Sequence, residues 1–409
     1  MGKPGRMYEE ASKLLTKYTS KSKMRQALYK SNHENIRQIM PLLENVILNK
    51  SKLQGLLPEL KDIRLDENIK LCILYDMLMS KNRKSQQLPN VKDAKIRKAF
   101  LVLRPQLREK LIKTDVKTAR RVKPMKYARV NALKTSREEL VEEFGGTLNF
   151  DKDVPNLLVF KPHEDLANSE LVENDFLIIQ DKSSCLPACI LDPHSNSIVL
   201  DATASPGNKT LQLYEKCKSI YACELNPSRF QFMKDRFEHL DADIICLNKN
   251  FLTMDTIEKV DHILLDPSCS GSGTLDYGVV YSDNQVIDFA LQQLKMIIKC
   301  FQYPNLVKMT YSTCSINTIE NELVVLAALY YAKLNKIHFE LQETKLPQFA
   351  TKELEFDIDQ LELLLSASDI EVQQDLLQSI VYNAPIHKCL RLSRDIHFTG
   401  GFFVALFSK

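Results

Sequence analysis

Apolar positions recur at intervals of three and four through KLLTKY, NIRQIMPLLENVIL and NIKLCILYDMLM, so residues 7–85 are predicted to form helices packed as a small bundle. The polar, basic segment SKNRKSQQLPN (80–90) interrupts that pattern. A second basic helical stretch follows from Val91 to Arg121, with Arg104-Pro105 as a break. From Tyr127 the period changes from helical to alternating. YARVNALK reads as a strand, SREELVEEFG as a helix ended by Gly145-Gly146, and NLLVFK as a second strand. Residues 127–170 are expected to make a small α+β, RRM-like subdomain whose sheet displays Arg129 and Asn131 as a candidate RNA-facing surface.

Residues 171–409 read as an α/β domain in which short apolar runs end in polar residues. SIVLDATASPGNKT is a strand, a Pro/Gly turn and a helix opening at Lys209 or Thr210. The glycine lets the backbone approach a ligand closely, and free N–H groups at the helix start favour a carboxylate or phosphate. SIYACELNPSRFQFMKDRF is a short strand ending in Glu224 and then a helix, and an acid so placed can take both ribose hydroxyls of a nucleoside-bearing cofactor. IICLNKNFLTM brings Asn250 to the next strand end, where it can meet an adenine edge. ILLDPSCSGSG (263–273) is a fourth strand, and YSTCSIN (311–317) follows another apolar run. Open α/β sheets bind ligands at the carboxyl ends of their strands, so Asp266, Cys269 and Cys314 are expected to converge on one sheet edge. A lone cysteine is most often inert core packing, whereas two in Pro/Ser/Gly-rich strand-end turns point to chemistry. Residues 344–386 are acidic and helical in period and read as an insertion that covers the domain's side or meets a protein.

Charge adds a partner to this picture. Net charge over the 409 residues is only +3, yet residues 1–126 hold 30 lysines and arginines against 12 acids. The front third is a basic module, and a polyanion, most simply RNA, is the expected partner, because phosphate contacts release counterions. Solvated lysine-rich helix faces are the plainer reading of such a run. The ten cysteines show no regular spacing, and the Cys185/Cys189 pair has no neighbouring His or Cys, so neither a disulfide framework nor a metal site is expected. That usage fits a reduced intracellular compartment. Without an apolar run of eighteen residues or a signal-peptide core, a soluble protein with no membrane partner is expected, and Arg6 stands where a myristoylation pattern wants Ser or Thr.

Neither G-x-G-x-x-G nor G-x-x-x-x-G-K-[ST] is present. Instead, DATASPGNKT, LLDPSCSGSG, YSTCS and the closing GGFFVALF together resemble the Sun-family RNA (cytosine-5)-methyltransferases. IIQDKSSCLPACILD, the Asn-Lys of SPGNKT and HKCLRLSRDIHFTGGFFVA are most similar to the subfamily acting on large-subunit (25S/28S) ribosomal RNA. The likeness covers residues 127–330 and 387–407, and the basic front helices, YKSNHENIRQIM included, resemble the same subfamily more loosely, which implies a NusB-like bundle there. The resemblance implies a Rossmann-like class I methyltransferase domain using S-adenosyl-L-methionine. It also implies a large-subunit rRNA or pre-ribosomal substrate, a monomeric state and a location in the nucleus and nucleolus.

By that resemblance Cys314 attacks cytosine C6, Asp266 contacts N3 and the exocyclic amine, Cys269 assists release, and Lys209 orients the base and polarises the thiol. The cofactor set is Thr203, Ala204, Ser205, Pro206, Gly207, Asn208, Lys209, Glu224, Arg229, Asn250 and Asp266. Thr203 replaces the usual Cys, Ser205 the usual Ala, and Asn250 stands where an acid is common, which lowers the expected strength of the adenine contact. Glu224 and Arg229 also read as a plain helix-start ion pair. A target base must be unstacked for attack, and with no Trp in the chain, Tyr277 and Tyr281 are candidate stacking residues. Three other readings remain open: a binding-only ribosome assembly factor, a DNA cytosine methyltransferase attacking with Cys269, and an amino-group methyltransferase.

Overall fold

A computed structural model describes residues 5–17, 36–80, 87–88, 90–115, 125–145, 148–274, 281–351 and 358–409. Tyr277 lies outside them. The chain forms two compact units, one of residues 1–121 with 276–281, the other of 122–275 with 282–409.

The first unit is helical. Arg6–Lys17, Ile36–Leu48, Glu67–Leu78 and Ala94–Asp115 are its longest described helices. Asp66 starts the third of these by accepting from the Ile69 N–H, and Ser12 Oγ donates to the same carboxylate at 2.6 Å. Tyr8, Leu43, Val46, Leu71, Leu74 and Phe100 meet in one core. Within it, the Tyr8 hydroxyl donates to Asp76 at 2.8 Å, and burial pushes that carboxyl up to about 6.

The second unit holds two sheets. Strands β1 (Lys126–Val130), β2 (Leu157–Phe160) and β3 (Leu177–Ile179) pair antiparallel in the order β2-β1-β3. The helix Arg137–Phe144 between β1 and β2 opens with a capping box of Ser136 and Glu139. Phe176–Ile179 falls near the start of the 171–409 α/β domain expected from sequence. It instead completes this small sheet, with Ile178 opposite Arg129, before Asp181 caps the helix Lys182–Leu191.

The small sheet does not offer Arg129 and Asn131 to solvent, because both faces of β1 are covered. Each of the two residues is only 1% exposed. Arg129 Nη1 donates to Glu215 at 2.5 Å and Nε to Gln180 at 3.5 Å, while the Asn131 amide donates to the Asp175 carbonyl at 2.9 Å. Their roles are internal: one ties the small sheet to the helix region of the large one, and the other closes a turn.

The large sheet contains β4 (Ile198–Asp201), β5 (Ser219–Cys223), β6 (Ile245–Leu247), β7 (His262–Leu265), β8 (Lys308–Thr313), β9 (Glu340–Leu341), β10 (Leu390–Leu392) and β11 (Phe402–Ser408). Their order is β10-β11-β8-β7-β4-β5-β6, with β9 also on β11. Strands β4 to β8 run parallel, and β11 enters antiparallel beside β8. The chain goes outward from β4 to β6 and then returns to β4's other side with β7. That reversal opens a crevice at the carboxyl ends of β4 and β7. The helices Ile358–Ser366 and Gln374–Asn383 of the acidic insertion put Leu361, Leu364, Leu365, Leu377 and Ile380 into the main core. The Tyr330 hydroxyl of the helix Glu322–Leu334 accepts from the Gln373 N–H at 2.7 Å, fixing the insertion against the domain's side. No described helix is long and apolar enough to cross a membrane.

Candidate active site

The turn after β4 lies at the crevice. Thr203 Oγ1 accepts from the Asp266 N–H at 3.1 Å, stitching the ends of β4 and β7 together. Ala204 and Ser205 are buried behind it, and Ser205 Oγ donates to the Arg229 carbonyl at 3.2 Å. Pro206 precedes Gly207, whose φ of +96° is the left-handed conformation glycine tolerates. A side chain on Gly207 would meet the Phe237 ring at 2.5 Å, so packing on the helix Pro227–His239 also requires a glycine here. Asn208 accepts from Arg236 and donates to the Ile179 carbonyl at 3.4 Å.

Glu224 ends β5 almost fully buried. One carboxylate oxygen accepts from the Asn226 N–H at 2.7 Å, and the other lies 3.7 Å from Arg229 Nη2, which itself donates to the Ser205 carbonyl at 2.7 Å. The ion pair is loose, and acceptor capacity for a pair of hydroxyls remains on Glu224. Asn250, beyond β6, turns Oδ1 onto the Leu252 N–H at 3.0 Å, so one of its two acceptor lone pairs is already used.

Four chemical groups meet between β7 and β8. Lys209 Nζ donates to Asp266 Oδ2 at 2.6 Å and to Ser184 Oγ at 2.9 Å, and Ser312 Oγ donates to Asp266 Oδ1 at 2.6 Å. Both carboxylate oxygens are therefore engaged. Burial would lower Lys209, but the charge and hydrogen bond of Asp266 outweigh it and hold the ammonium above its ordinary value. Cys269 and Cys314 place their sulfurs 3.2 Å apart, close enough that one thiol donates to the other. Flanking charges modulate the pair: at Cys314 the Asp266 carboxylate opposes a thiolate and the Lys209 ammonium favours one, while the Glu320 carboxylate disfavours one at Cys269. Cys314 is held below the ordinary thiol value chiefly by the hydrogen bond from Cys269, against burial; Cys269 is raised by that same bond and by burial.

The segment that holds these turns carries none of the residues expected from sequence to form the site. Glu320, Asn321 and Glu322 are all fully buried at the start of the helix Glu322–Leu334. Glu320 accepts from the Ser270 N–H at 2.8 Å and from the Ser270 and Ser315 hydroxyls at 2.6 Å each. Asn321 Oδ1 accepts from Thr313 Oγ1 at 2.5 Å, and its amide donates to the Ser315 carbonyl at 2.9 Å. Glu322 receives Arg391 through two nitrogens at 2.8 and 2.6 Å, and a third nitrogen of Arg391 donates to the Ile316 carbonyl at 2.9 Å. Ser184 and Ser312 lie outside that expected set as well. The available signal was three polar residues, Glu-Asn-Glu, opening an otherwise apolar helix six residues past Cys314.

The turns are further locked by glycine backbones. Gly273 N–H donates to the Cys314 carbonyl at 2.9 Å, and Gly401 N–H donates to the Gly273 carbonyl at 2.7 Å. Asp181 joins through Thr399 and through the Gly400 N–H at 3.3 Å. Among the described residues no group of three or more His, Cys, Asp or Glu side chains is arranged to hold a metal ion.

Residues 188–407 match the family model described as 16S rRNA methyltransferase RsmB/F. A relative from Caenorhabditis elegans, named 26S rRNA (cytosine-C(5))-methyltransferase nsun-5, is 27% identical across 98% of both chains. The Arabidopsis thaliana protein named 25S rRNA (cytosine-C(5))-methyltransferase NSUN5 is 35% identical over 58% of this chain and 47% of its own length. A methyltransferase homologue from Pyrococcus horikoshii, 22% identical, superposes with a TM-score of 0.54 over 88% of this chain and 99% of its own, which supports the class I methyltransferase fold. More than half of the chain thus carries the family's pattern on that fold, and the protein belongs to the RsmB/F family of rRNA methyltransferases.

Proposed function

We propose that this protein forms 5-methylcytosine in large-subunit rRNA, with Cys314 as the covalent nucleophile and Cys269 as the residue that assists release. The observation carrying the reading is the 3.2 Å thiol pair, with Lys209 and Asp266 beside it at the β7–β8 strand ends. The large-subunit substrate rests on the names of the relatives, one of them collinear over nearly the whole chain.

Cytosine C5 is too weak a nucleophile to take a methyl group directly. Addition of the Cys314 thiolate to C6 forms a C–S bond and moves the ring electrons toward C5, dividing one difficult step into two easier ones. Asp266, held by Lys209 and Ser312, faces the ring at N3 and the exocyclic amine and favours the protonated ring that accepts the sulfur. S-adenosyl-L-methionine, when bound, supplies the methyl group as a sulfonium electrophile. The chain's residues fit it: Glu224 keeps acceptor capacity for the ribose hydroxyls, Asn250 a lone pair for the adenine amine, and Thr203, Ala204 and Ser205 form the small-residue turn between Glu224 and Asp266. After methylation the C5 proton leaves, with Cys269 as base or relay, and the electrons of that C–H bond expel Cys314 and restore the aromatic ring. The basic helical unit supplies the RNA contacts, the enzyme acts as a monomer, and nucleolar location follows from the substrate.

Wild type, Cys269→Ala and Cys314→Ala are incubated with large-subunit rRNA and S-adenosylmethionine and run on a denaturing protein gel. An RNA-shifted band from Cys269→Ala alone is expected, because its adduct forms and does not resolve. A shifted band from Cys314→Ala instead assigns the attack to Cys269. If the wild type makes no 5-methylcytosine and no variant shifts, the enzymatic reading fails in favour of an assembly factor.

A further inference from the structure

We infer that Glu320 is a positioning residue for the reaction: its carboxylate clamps the Cys269 turn to the Cys314 turn and so sets the distance between the two sulfurs. The inference rests on the cysteine roles proposed above, but its geometry does not. Oε1 accepts from the Ser270 N–H at 2.8 Å and from the Gln293 amide at 3.3 Å. Oε2 accepts from Ser270 Oγ and Ser315 Oγ at 2.6 Å each, and from the Asn317 amide at 3.0 Å. Ser270 is the neighbour of Cys269, and Ser315 is the neighbour of Cys314. One buried carboxylate therefore holds the residue next to each sulfur.

The surrounding groups orient the clamp itself. The Tyr311 hydroxyl donates to the Glu320 carbonyl at 2.5 Å with Gln293 Oε1 3.0 Å away, while the Gln293 amide also donates to the Ser268 carbonyl at 3.0 Å. Glu320 is fully buried although both cysteines reach partly to solvent. A buried carboxylate with five donors is fixed far more tightly than an exposed one, since each lost contact leaves a desolvated group unpaired. Nothing in the proposed chemistry calls for a carboxylate at Glu320 as acid, base or ligand. Its position explains it: beside the direct bond from the Gly273 N–H to the Cys314 carbonyl, Glu320 ties the two turns together from a third element.

The test uses the full chain and variants Glu320→Gln and, as a milder lesion that removes one donor, Ser315→Ala. Two readouts are taken. The first is the rate at which diamide couples Cys269 to Cys314, followed by mass spectrometry of the linked peptides; both thiols lose a proton, the S–S bond forms and diamide is reduced to its hydrazine. The second is steady-state methylation of rRNA. In Glu320→Gln the coupling rate is expected to fall at least tenfold and kcat about a hundredfold, the scale of an ångström-sized misplacement, while KM for S-adenosylmethionine stays within twofold. Ser315→Ala is expected to show a smaller change of both in the same direction. An unchanged coupling rate in Glu320→Gln overturns the inference, as does a KM that rises in step with the loss of kcat. If the wild type makes no 5-methylcytosine yet coupling still collapses in Glu320→Gln, the clamp stands and the assigned reaction fails.

Discussion

Lys209 and Asp266 form an ion pair of 2.6 Å in which the cation comes from the helix after β4 and the anion from the end of β7. The pair spans the crevice where the sheet's connections reverse, so Lys209 reaches the neighbourhood of Cys314 only because those strands are adjacent. Lys209→Met keeps most of the stem and removes the charge. The Cys314 thiol should then rise, and its labelling by iodoacetamide near neutral pH should slow roughly tenfold if the shift is about one pH unit. Peptide mapping of the label measures this, and an unchanged rate would show that Lys209 does not tune the thiol.

Asp201, buried at the end of β4, is pushed up to about 7 by burial, against the opposing Thr210 hydrogen bond. Its unfolded value is about 4, so in that window the folded state binds more protons than the unfolded chain. Stability from this group therefore falls as pH rises from about 4 to about 7, with a slope of at most about 1.4 kcal/mol per pH unit. Asp201→Asn should flatten the fall in melting temperature over that range. Parallel curves for variant and wild type would contradict a raised carboxyl.

A methyl group on Gly273 would sit 2.1 Å from the Gly401 carbonyl oxygen. Backbone must move to relieve it, and that backbone carries the Cys269 and Cys314 turns. Gly273→Ala is expected to lose about 1–3 kcal/mol in chemical denaturation and to lose adduct formation with it. At Gly401 the nearest atoms are Ile316 Cγ2 at 2.7 Å and Gly273 Cα at 2.9 Å, less close than the 2.1 Å at Gly273, so Gly401→Ala should be the milder of the two while still moving backbone.

Arg129→Met removes the cation from a nearly buried pair with Glu215 and strands the carboxylate. A loss of roughly 3 kcal/mol is expected in urea unfolding. The salt dependence of RNA binding by the folded variant should match the wild type, because Arg129 reaches no phosphate. A reduced salt slope would return Arg129 to the RNA surface.

Local patterns determined the elements. The three-and-four period of NIKLCILYDMLM gave the helix Glu67–Leu78, and the apolar runs ending in Asp201, Glu224 and Asp266 gave parallel strands with polar carboxyl ends, because burial on both faces needs continuous apolar side chains. Motif spacing likewise put Cys269 and Cys314 on strand ends. Tertiary structure decided what such patterns do not encode. Strand order made β7 and β8 neighbours and brought the sulfurs to 3.2 Å. It buried Arg129, which in an isolated alternating strand reads as solvent-facing, by laying a second layer over β1. It also turned Glu-Asn-Glu, which in sequence looks like a hydrated helix start, into the buried clamp of the site, because whether a carboxylate meets water or five donors depends on elements far away in the chain.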